Sequence, residues 1–569
     1  MVCAALCALP AHALTVQVDA PDALKTLLTQ HLETARAARL GEKLDGEEVA
    51  RLQRQSEQTA RDLLATEGYF SPQIESVAEG KGDDWQVSYR VDPGGRTTVR
   101  SVKLSFEGAL KTRDDAASQG GRIERSFSLK PGMPFRQADW EAAKRAVLRP
   151  LLASLYPAAR IAQSEARVDP ATRTSDLMLT IDSGPAFFYG ASTVSGNQRY
   201  PESIIRNLNP AKPGQAFRQQ DLQDYQTALE ASGYFAQVAV RIEPDPAKAE
   251  AVPIQIEVVE RPQKLFSVGV GISTDTGARI QASWLQRDVA DRGLRLKLDA
   301  RVETARQLGA AELAWPRTSA GYENSLGVQL KREDIKGQET RSTLLAAKRT
   351  RTSGQIEATL SLQYQTEEQF IAGALNARNQ ALTANYAWTQ RTAGHAFYPQ
   401  RGYVLSLQGG GASQALLSDT SFVRLLGRHT QYFPVGENGR FILRGEFGGV
   451  LADRRDGIPT DFLFRAGGDN SVRGYAYQSL GRSLSGGVES VRYLATGSAE
   501  YNYFFDRNWG LALFVDAGDA ADSPRGLSPV FGAGLGARYR SPVGPVNLDL
   551  AYGEATRQFR LHFSLGVSF

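Results

Sequence analysis

A chain of 569 residues is long enough for more than one domain, and 42% apolar with 22% charged residues is the makeup of a folded protein. Its 66 basic residues nearly balance 62 acidic ones, and a formal charge of +4 excludes the strongly basic surface of a nucleic-acid binder. Apolar runs fall well short of the ~18 residues that a transmembrane helix needs.

Residues 1–13 read as a signal segment. Met1–Ala13 is apolar and ends in Ala11-His12-Ala13, a small-x-small cleavage pattern, although the usual basic start is missing. Both cysteines of the chain, Cys3 and Cys7, lie here. Cleavage would leave a thiol-free mature chain, which suits an oxidising compartment without disulfides.

From residue 14 to 262 helical and strand patterns alternate, and one unit is written three times, over 14–94, 95–184 and 185–262. Pro131-Gly132-Met133-Pro134-Phe135-Arg136-Gln137 returns as Pro213-Gly214-Gln215-Ala216-Phe217-Arg218-Gln219. Each copy precedes an amphipathic helix, with Trp140, Ala143, Val147 and Leu151 on one face of the earlier and Leu222, Tyr225 and Leu229 on one face of the later. The later helix ends at Gly233-Tyr234-Phe235, and the helix Glu47–Glu67 of the first unit ends at Gly68-Tyr69-Phe70. Glycine caps such a helix and the aromatic pair turns back into the core. The middle copy has Ser154-Leu155-Tyr156 in that place. Each unit is expected to run strand, helix, helix, strand, strand, which suits a small α+β domain.

Residues 263–569 alternate with period two. Phe266, Val268, Val270 and Ile272 open the pattern, Leu548, Leu550 and Tyr552 continue it, and Leu561, Phe563, Leu565, Val567 and Phe569 end it. Sixteen such segments can be counted, and an even number of ~10-residue alternating strands is the signature of an outer-membrane barrel. A sheet in lipid has no partner for a free edge, so it must close. The expected fold is therefore three periplasmic α+β domains followed by a 16-stranded antiparallel transmembrane β-barrel. A large soluble sandwich or propeller is the alternative. The terminal phenylalanine, the signal segment and the absence of cysteine from the mature chain weigh against it.

Between the alternating runs Arg440–Val450 and Val491–Phe504 lies a connection of about forty residues, a length usually reserved for function. Its centre, Phe464 to Tyr475, reads Phe-Arg-Ala-Gly-Gly-Asp-Asn-Ser-Val-Arg-Gly-Tyr. The glycines permit tight turns and the apolar residues give it something to pack with, so Arg473 becomes a cation on a packed loop and needs a carboxylate. Alternation supplies two. Tyr493, Ala495, Ala499, Tyr501 and Tyr503 form one row, which puts Glu500 on the lumen side. Leu511, Leu513 and Val515 face lipid, which puts Phe514 and Asp516 on the lumen side of the next strand.

Taken together, these features resemble the Omp85 family of outer-membrane assembly proteins, over nearly the whole mature chain. The resemblance implies periplasmic POTRA domains before a 16-stranded barrel. It also implies a sixth extracellular loop whose tip, here Val472, Arg473, Gly474 and Tyr475, folds into the lumen against Glu500, Phe514 and Asp516. Three POTRA-like units are most similar to the TamA branch of the family. That branch implies TamB, an inner-membrane-anchored periplasmic protein, as partner, with unfolded outer-membrane proteins such as autotransporters as clients and outer-membrane lipid around the barrel. The function implied is insertion or export of β-rich clients through a lateral seam. Gly269 and Gly271 of the first strand and Gly566 of the last weaken that seam, and Phe569 ends it. A passive pore or a two-partner-type secretion transporter is the alternative. The five histidines show no metal-ligand spacing and no Gly-x-Ser-x-Gly elbow occurs, so no catalytic residue, metal or cofactor is expected and the chain does not read as an enzyme.

Overall fold

The computed structural model describes residues 14–82, 84–113, 117–394, 398–484, 487–541 and 544–565. The signal segment 1–13 and the seam residues Gly566 and Phe569 lie outside the described residues.

Each α+β unit is built on a three-stranded sheet. In the first, Thr15–Asp19 runs parallel to Asp84–Asp92, which pairs antiparallel with Gln73–Lys81. In the second, Thr98–Glu107 runs parallel to Thr174–Asp182, which pairs antiparallel with Arg160–Asp169. In the third, Val252–Glu260 lies between Tyr189–Ser195 and Phe235–Ile242. Two helices per unit is right only for the third unit, with Ser203–Asn207 and Gln219–Ala231. The first has Asp22–His31, Glu33–Leu40 and Gly46–Thr66, because Leu32 takes an extended conformation and breaks the leading helix in two. The second adds the short turn Ala109–Thr112 ahead of Ala117–Ser126 and Gln137–Ala153.

The helix Gly46–Thr66 starts where the Asp45 carboxylate accepts the Glu47 and Glu48 backbone N–H groups, at 3.0 and 2.9 Å. It buries Val49, Ala60 and Leu64 against Val87 and Tyr89 of the sheet. The repeated Pro-Gly segment has a structural task. Phe135 N–H donates to the Thr97 carbonyl and Phe217 N–H to the Phe187 carbonyl, both at 2.9 Å, so each copy lies along the first strand of its own sheet. The middle unit shows what Gly-Tyr-Phe does. Leu155 takes the left-handed φ of 68° that Gly68 takes at 94°. Its carbonyl accepts Phe187 N–H at 2.8 Å, as the Gly68 carbonyl accepts Thr97 N–H at 2.9 Å. A leucine there is strained by roughly 1–2 kcal/mol, yet it keeps the geometry. Tyr156 stays fully buried as the aromatic anchor.

The second half is a closed antiparallel barrel of sixteen strands, from Lys264–Ser273 to Gln558–Leu565. Thus the fold class expected from alternation is the one observed. One strand runs further than apolar alternation marks: the eighth spans Ala374–Arg391, although its alternation of apolar residues begins near 381. Its polar first turn, with Asn376, Arg378 and Asn379, keeps pairing with Ile356–Ile371 beyond the apolar band, so alternation of apolar residues could not mark it. Phe266, Val268, Val270, Ile272, Leu511, Leu513 and Val515 are all exposed on the outside. In a membrane they face lipid. Glu303, Glu333, Glu367 and Gln365 are buried on the inside.

Candidate functional site

The long connection 452–492 is folded into the barrel. Phe464 and Val491 exchange two backbone bonds of 2.8 Å, and Ala466 and Leu480 exchange two of 2.9 Å, so the loop re-enters as a ribbon. Phe464 and Ala466 join Phe422, Leu426, Val450, Ile458 and Val491 in an apolar cluster that holds the ribbon. Gly474, at φ 94°, carries the tip past the strand Gly544–Gly553, and a Cβ there would lie 2.8 Å from the Gly553 nitrogen.

The tip delivers Arg473, which is 2% exposed. Its Nε and Nη2 donate to the two oxygens of Asp516 at 2.7 and 2.9 Å, a bidentate fork that a lysine cannot copy. Its backbone N–H adds a third bond to Asp516, at 3.0 Å. Nη1 donates to Glu500 at 2.7 Å and to Asp549 at 3.1 Å. The guanidinium carbon sits 3.4 Å from the centre of the Phe514 ring, a stacked cation–π contact. Glu500 is on the twelfth strand, Tyr493–Phe504, and Phe514 and Asp516 are on the thirteenth, Trp509–Ala521. Val472 is fully buried, and the Tyr475 hydroxyl donates to the Phe531 carbonyl at 3.1 Å and accepts Ala555 N–H at 3.0 Å.

Sequence reasoning missed part of this network. Asp549, on the fifteenth strand, Gly544–Gly553, is the third carboxylate, and Arg538, on the fourteenth, Val530–Ser541, is a second cation that bonds both Asp549 and Glu500. Arg444 reaches Glu500 at 3.5 Å from the far side. Three carboxylates are thus met by three guanidinium groups, which is what buried charge requires. The signal for Asp549 was available, since it alternates with Leu548 and Leu550. Also missed was the seat of the tip. A Cβ on Gly532 would lie 1.9 Å from the Arg473 carbonyl oxygen, and one on Gly534 would lie 2.5 Å from the Phe514 ring. The alternating glycines of Gly532-Ala533-Gly534-Leu535-Gly536 leave a trough on the lumen face of the fourteenth strand.

The seam residues lie apart from this network. Gly269 and Gly271 sit on the inner face of the first strand. That strand pairs with its other neighbour along its whole length, from Lys264 opposite Gln286 to Ser273 opposite Gly277. Across the seam, one ladder pair joins it to the last strand among the described residues, Ser273 opposite Ser564. Thr274 adds a backbone bond to the Phe563 carbonyl at 3.2 Å, and its hydroxyl accepts Phe563 N–H at 3.0 Å. Near this point Asp275, Asp469 and His562 bring one ligand-type atom each within 4.8 Å of one another. Both ring nitrogens of His562 are already bonded, to Asp469 and to Gly474 N–H, so the trio stands as a hydrogen-bonded cluster.

The model of the Omp85 superfamily domain matches residues 263–569. Residues 188–261 match a POTRA model described as a surface antigen variable number repeat, and residues 19–93 match the POTRA domain TamA domain 1. The outer membrane protein assembly factor BamA of Neisseria meningitidis serogroup B is 23% identical, over 89% of this chain and 72% of that protein. BamA of Nitratidesulfovibrio vulgaris is 23% identical, over 63% of this chain and 47% of that protein. The crystal structure of BamA from Haemophilus ducreyi lacking POTRA domains 1–3 shares the fold, with a TM-score of 0.67 at 16% identity over 83% of this chain and all of that one.

Proposed function

The chain belongs to the Omp85 superfamily, with POTRA domains in the periplasm and a barrel in the outer membrane, and from that premise we propose that it inserts or exports β-rich client proteins by opening the barrel seam sideways. The observation that carries this reading is the seam itself, where the first and last strands share one ladder pair among the described residues while the other neighbouring strands are paired along their lengths. Backbone N–H and C=O groups freed along such an edge cannot stay bare in lipid, so an opened seam has affinity for an incoming strand. Augmentation of the edge gives backbone bonds without demanding one sequence, which suits a factor serving many clients such as autotransporters. The work is exchange of hydrogen bonds, with no covalent step. Segments 14–94, 95–184 and 185–262 are the three domains that would receive clients and a TamB-type partner through their own sheet edges, ahead of the barrel at 263–569.

The test is a lock on the seam. With Cys3→Ser and Cys7→Ser as background, Ser273→Cys with Ser564→Cys places two thiols directly opposite each other, within disulfide reach. Oxidised protein in lipid vesicles should assemble clients at least about tenfold more slowly, and reductant should restore the rate. Client assembly at the unlocked rate would end the lateral-opening reading. A passive pore or a two-partner-type transporter is the second reading. It requires an open lumen, and the buried tip at Arg473 argues against a large steady conductance in a planar bilayer.

A further inference from the structure

The weak seam is crossed by side chains as well as by backbone. After the turn at Gly467 and Gly468, with φ of 102° and 101°, the chain presents Asp469. Its backbone N–H donates to Asp275 at 3.1 Å, and its carboxylate accepts the Thr274 hydroxyl at 3.4 Å. Thr274 and Asp275 belong to the turn that follows the first strand. The same carboxylate oxygen meets His562 Nδ1, on the last strand, at 2.6 Å. One loop residue therefore grips both edges of the seam.

Chemistry assigns the proton in that grip. Gly474 N–H points at His562 Nε2 at 2.9 Å, so Nε2 is the acceptor and carries no hydrogen. Nδ1 then holds the proton and donates it to Asp469, a charge-assisted bond. The side chains of His562 and Asp469 are 3% and 9% exposed, so water competes little for either. Gly468 has to be glycine for the approach, since a Cβ would lie 2.8 Å from an Asp275 oxygen. Arg473 stands between the two contacts and ties the same tip to the twelfth, thirteenth and fifteenth strands.

We propose that Asp469 is a latch, a positioning residue that holds the first and last strands together, so that the seam opens only when the loop tip lets go of His562 or of the Thr274–Asp275 turn. Its part in client entry rests on the lateral-opening reading; the grip on the seam does not. The test accordingly uses no client. In the Ser273→Cys/Ser564→Cys background, purified barrel receives a short pulse of oxidant and the crosslinked fraction is read on a gel. Asp469→Ala should cut that fraction at least about fivefold, while the protease resistance of the loop, which reports Arg473 packing, stays as it was. Asp469→Asn keeps an acceptor for His562 but not the charge, and should lose about twofold. Asp456→Ala, in the same loop, should change nothing. Crosslinking of Asp469→Ala at the unsubstituted rate overturns the latch. If Asp469→Ala loses the heat-modifiable migration of a folded barrel, Asp469→Asn decides, with full crosslinking overturning the proposal and a partial loss supporting it. A latch that passes while client assembly ignores the locked seam would leave the latch standing and remove the functional reading.

Discussion

The loop tip touches the barrel in two places, and the two are built on opposite principles. Around Arg473 every strand is fully paired to its neighbours, and the cation is met by a bidentate carboxylate, two further carboxylates and an aromatic face. Around Asp469 the two strands share one ladder pair among the described residues, and Thr274 and side chains of the tip add further bonds across the seam. The difference teaches where motion belongs. A guanidinium saturated by buried carboxylates is costly to withdraw, whereas a carboxylate bridging a turn and a histidine, with no cation facing it among the described residues, is the weaker hold.

The largest expected effect breaks the rigid side. Arg473→Ala leaves Asp516, Glu500 and Asp549 facing one another with Arg538 and Arg444 as the nearby cations, and losing one partner of a buried pair costs about 3–5 kcal/mol. The loop 452–492 should become sensitive to protease while the barrel keeps its heat-modifiable migration. Arg473→Lys should rescue poorly, because it restores charge without the fork or the stacked plane. Equal protease resistance in wild type and Arg473→Ala would contradict the packing described.

A smaller effect sharpens the same side without touching a charge. Gly532→Val puts a side chain where the Arg473 carbonyl now lies, and overpacking of this kind costs about 1–3 kcal/mol. Protease should cut the loop faster although all three carboxylates remain. If the loop stays protected, the trough is not what seats the tip. On the compliant side, amide exchange should separate the regions. Lys264–Ser273 should exchange faster than Tyr493–Phe504 in the same barrel, because local opening follows the weaker ladder, and among the described residues the first strand shares one pair with the last. Uniform protection of the two strands would erase the contrast.

Much of this was legible before any coordinates, and the reason is periodicity. A barrel wall has one wet and one apolar face, so alternation marks both the strands and the side on which Glu500, Phe514 and Asp516 sit. The repeated Pro-Gly segment was legible because the second and third sheets need the same edge contact. Three things were not. Alternation puts Asp549 on the lumen side, but Asp549 and Arg538 lie far along the chain from Arg473, and nothing local says that their strands curve round to the tip. The glycines of the fourteenth strand read as poor strand formers until the loop that occupies their place is seen. The role of Asp469 was hidden, because its partners Asp275 and His562 come from the two ends of the barrel sequence, and only closure brings those ends together.

The smallest effect is one of pH, and it acts on the compliant side alone. Asp275 lies in the turn after the first strand, outside the membrane-spanning segments. Burial first, and then the facing Asp469 carboxylate, push its carboxyl up to about 7. The backbone N–H of Asp469 opposes this rise, and His562 and Tyr477 of the loop also face the group. The sign follows from comparing the closed latch with a released turn, where an aspartate titrates near ~3.9. The closed form binds the proton more tightly, so its advantage is complete below pH ~4, declines as pH rises, and is gone above about 7. Seam crosslinking between Ser273→Cys and Ser564→Cys should therefore be greater at pH 5.5 than at pH 8, after correction for thiolate content against a disulfide-forming pair on two central strands. Asp275→Asn removes the titrating group and keeps a carbonyl oxygen for Asp469 N–H. It should flatten the profile between those two values at the level seen near pH 5.5. A profile unchanged by Asp275→Asn would assign the pH response to another group and leave the latch with Asp469 and His562 alone.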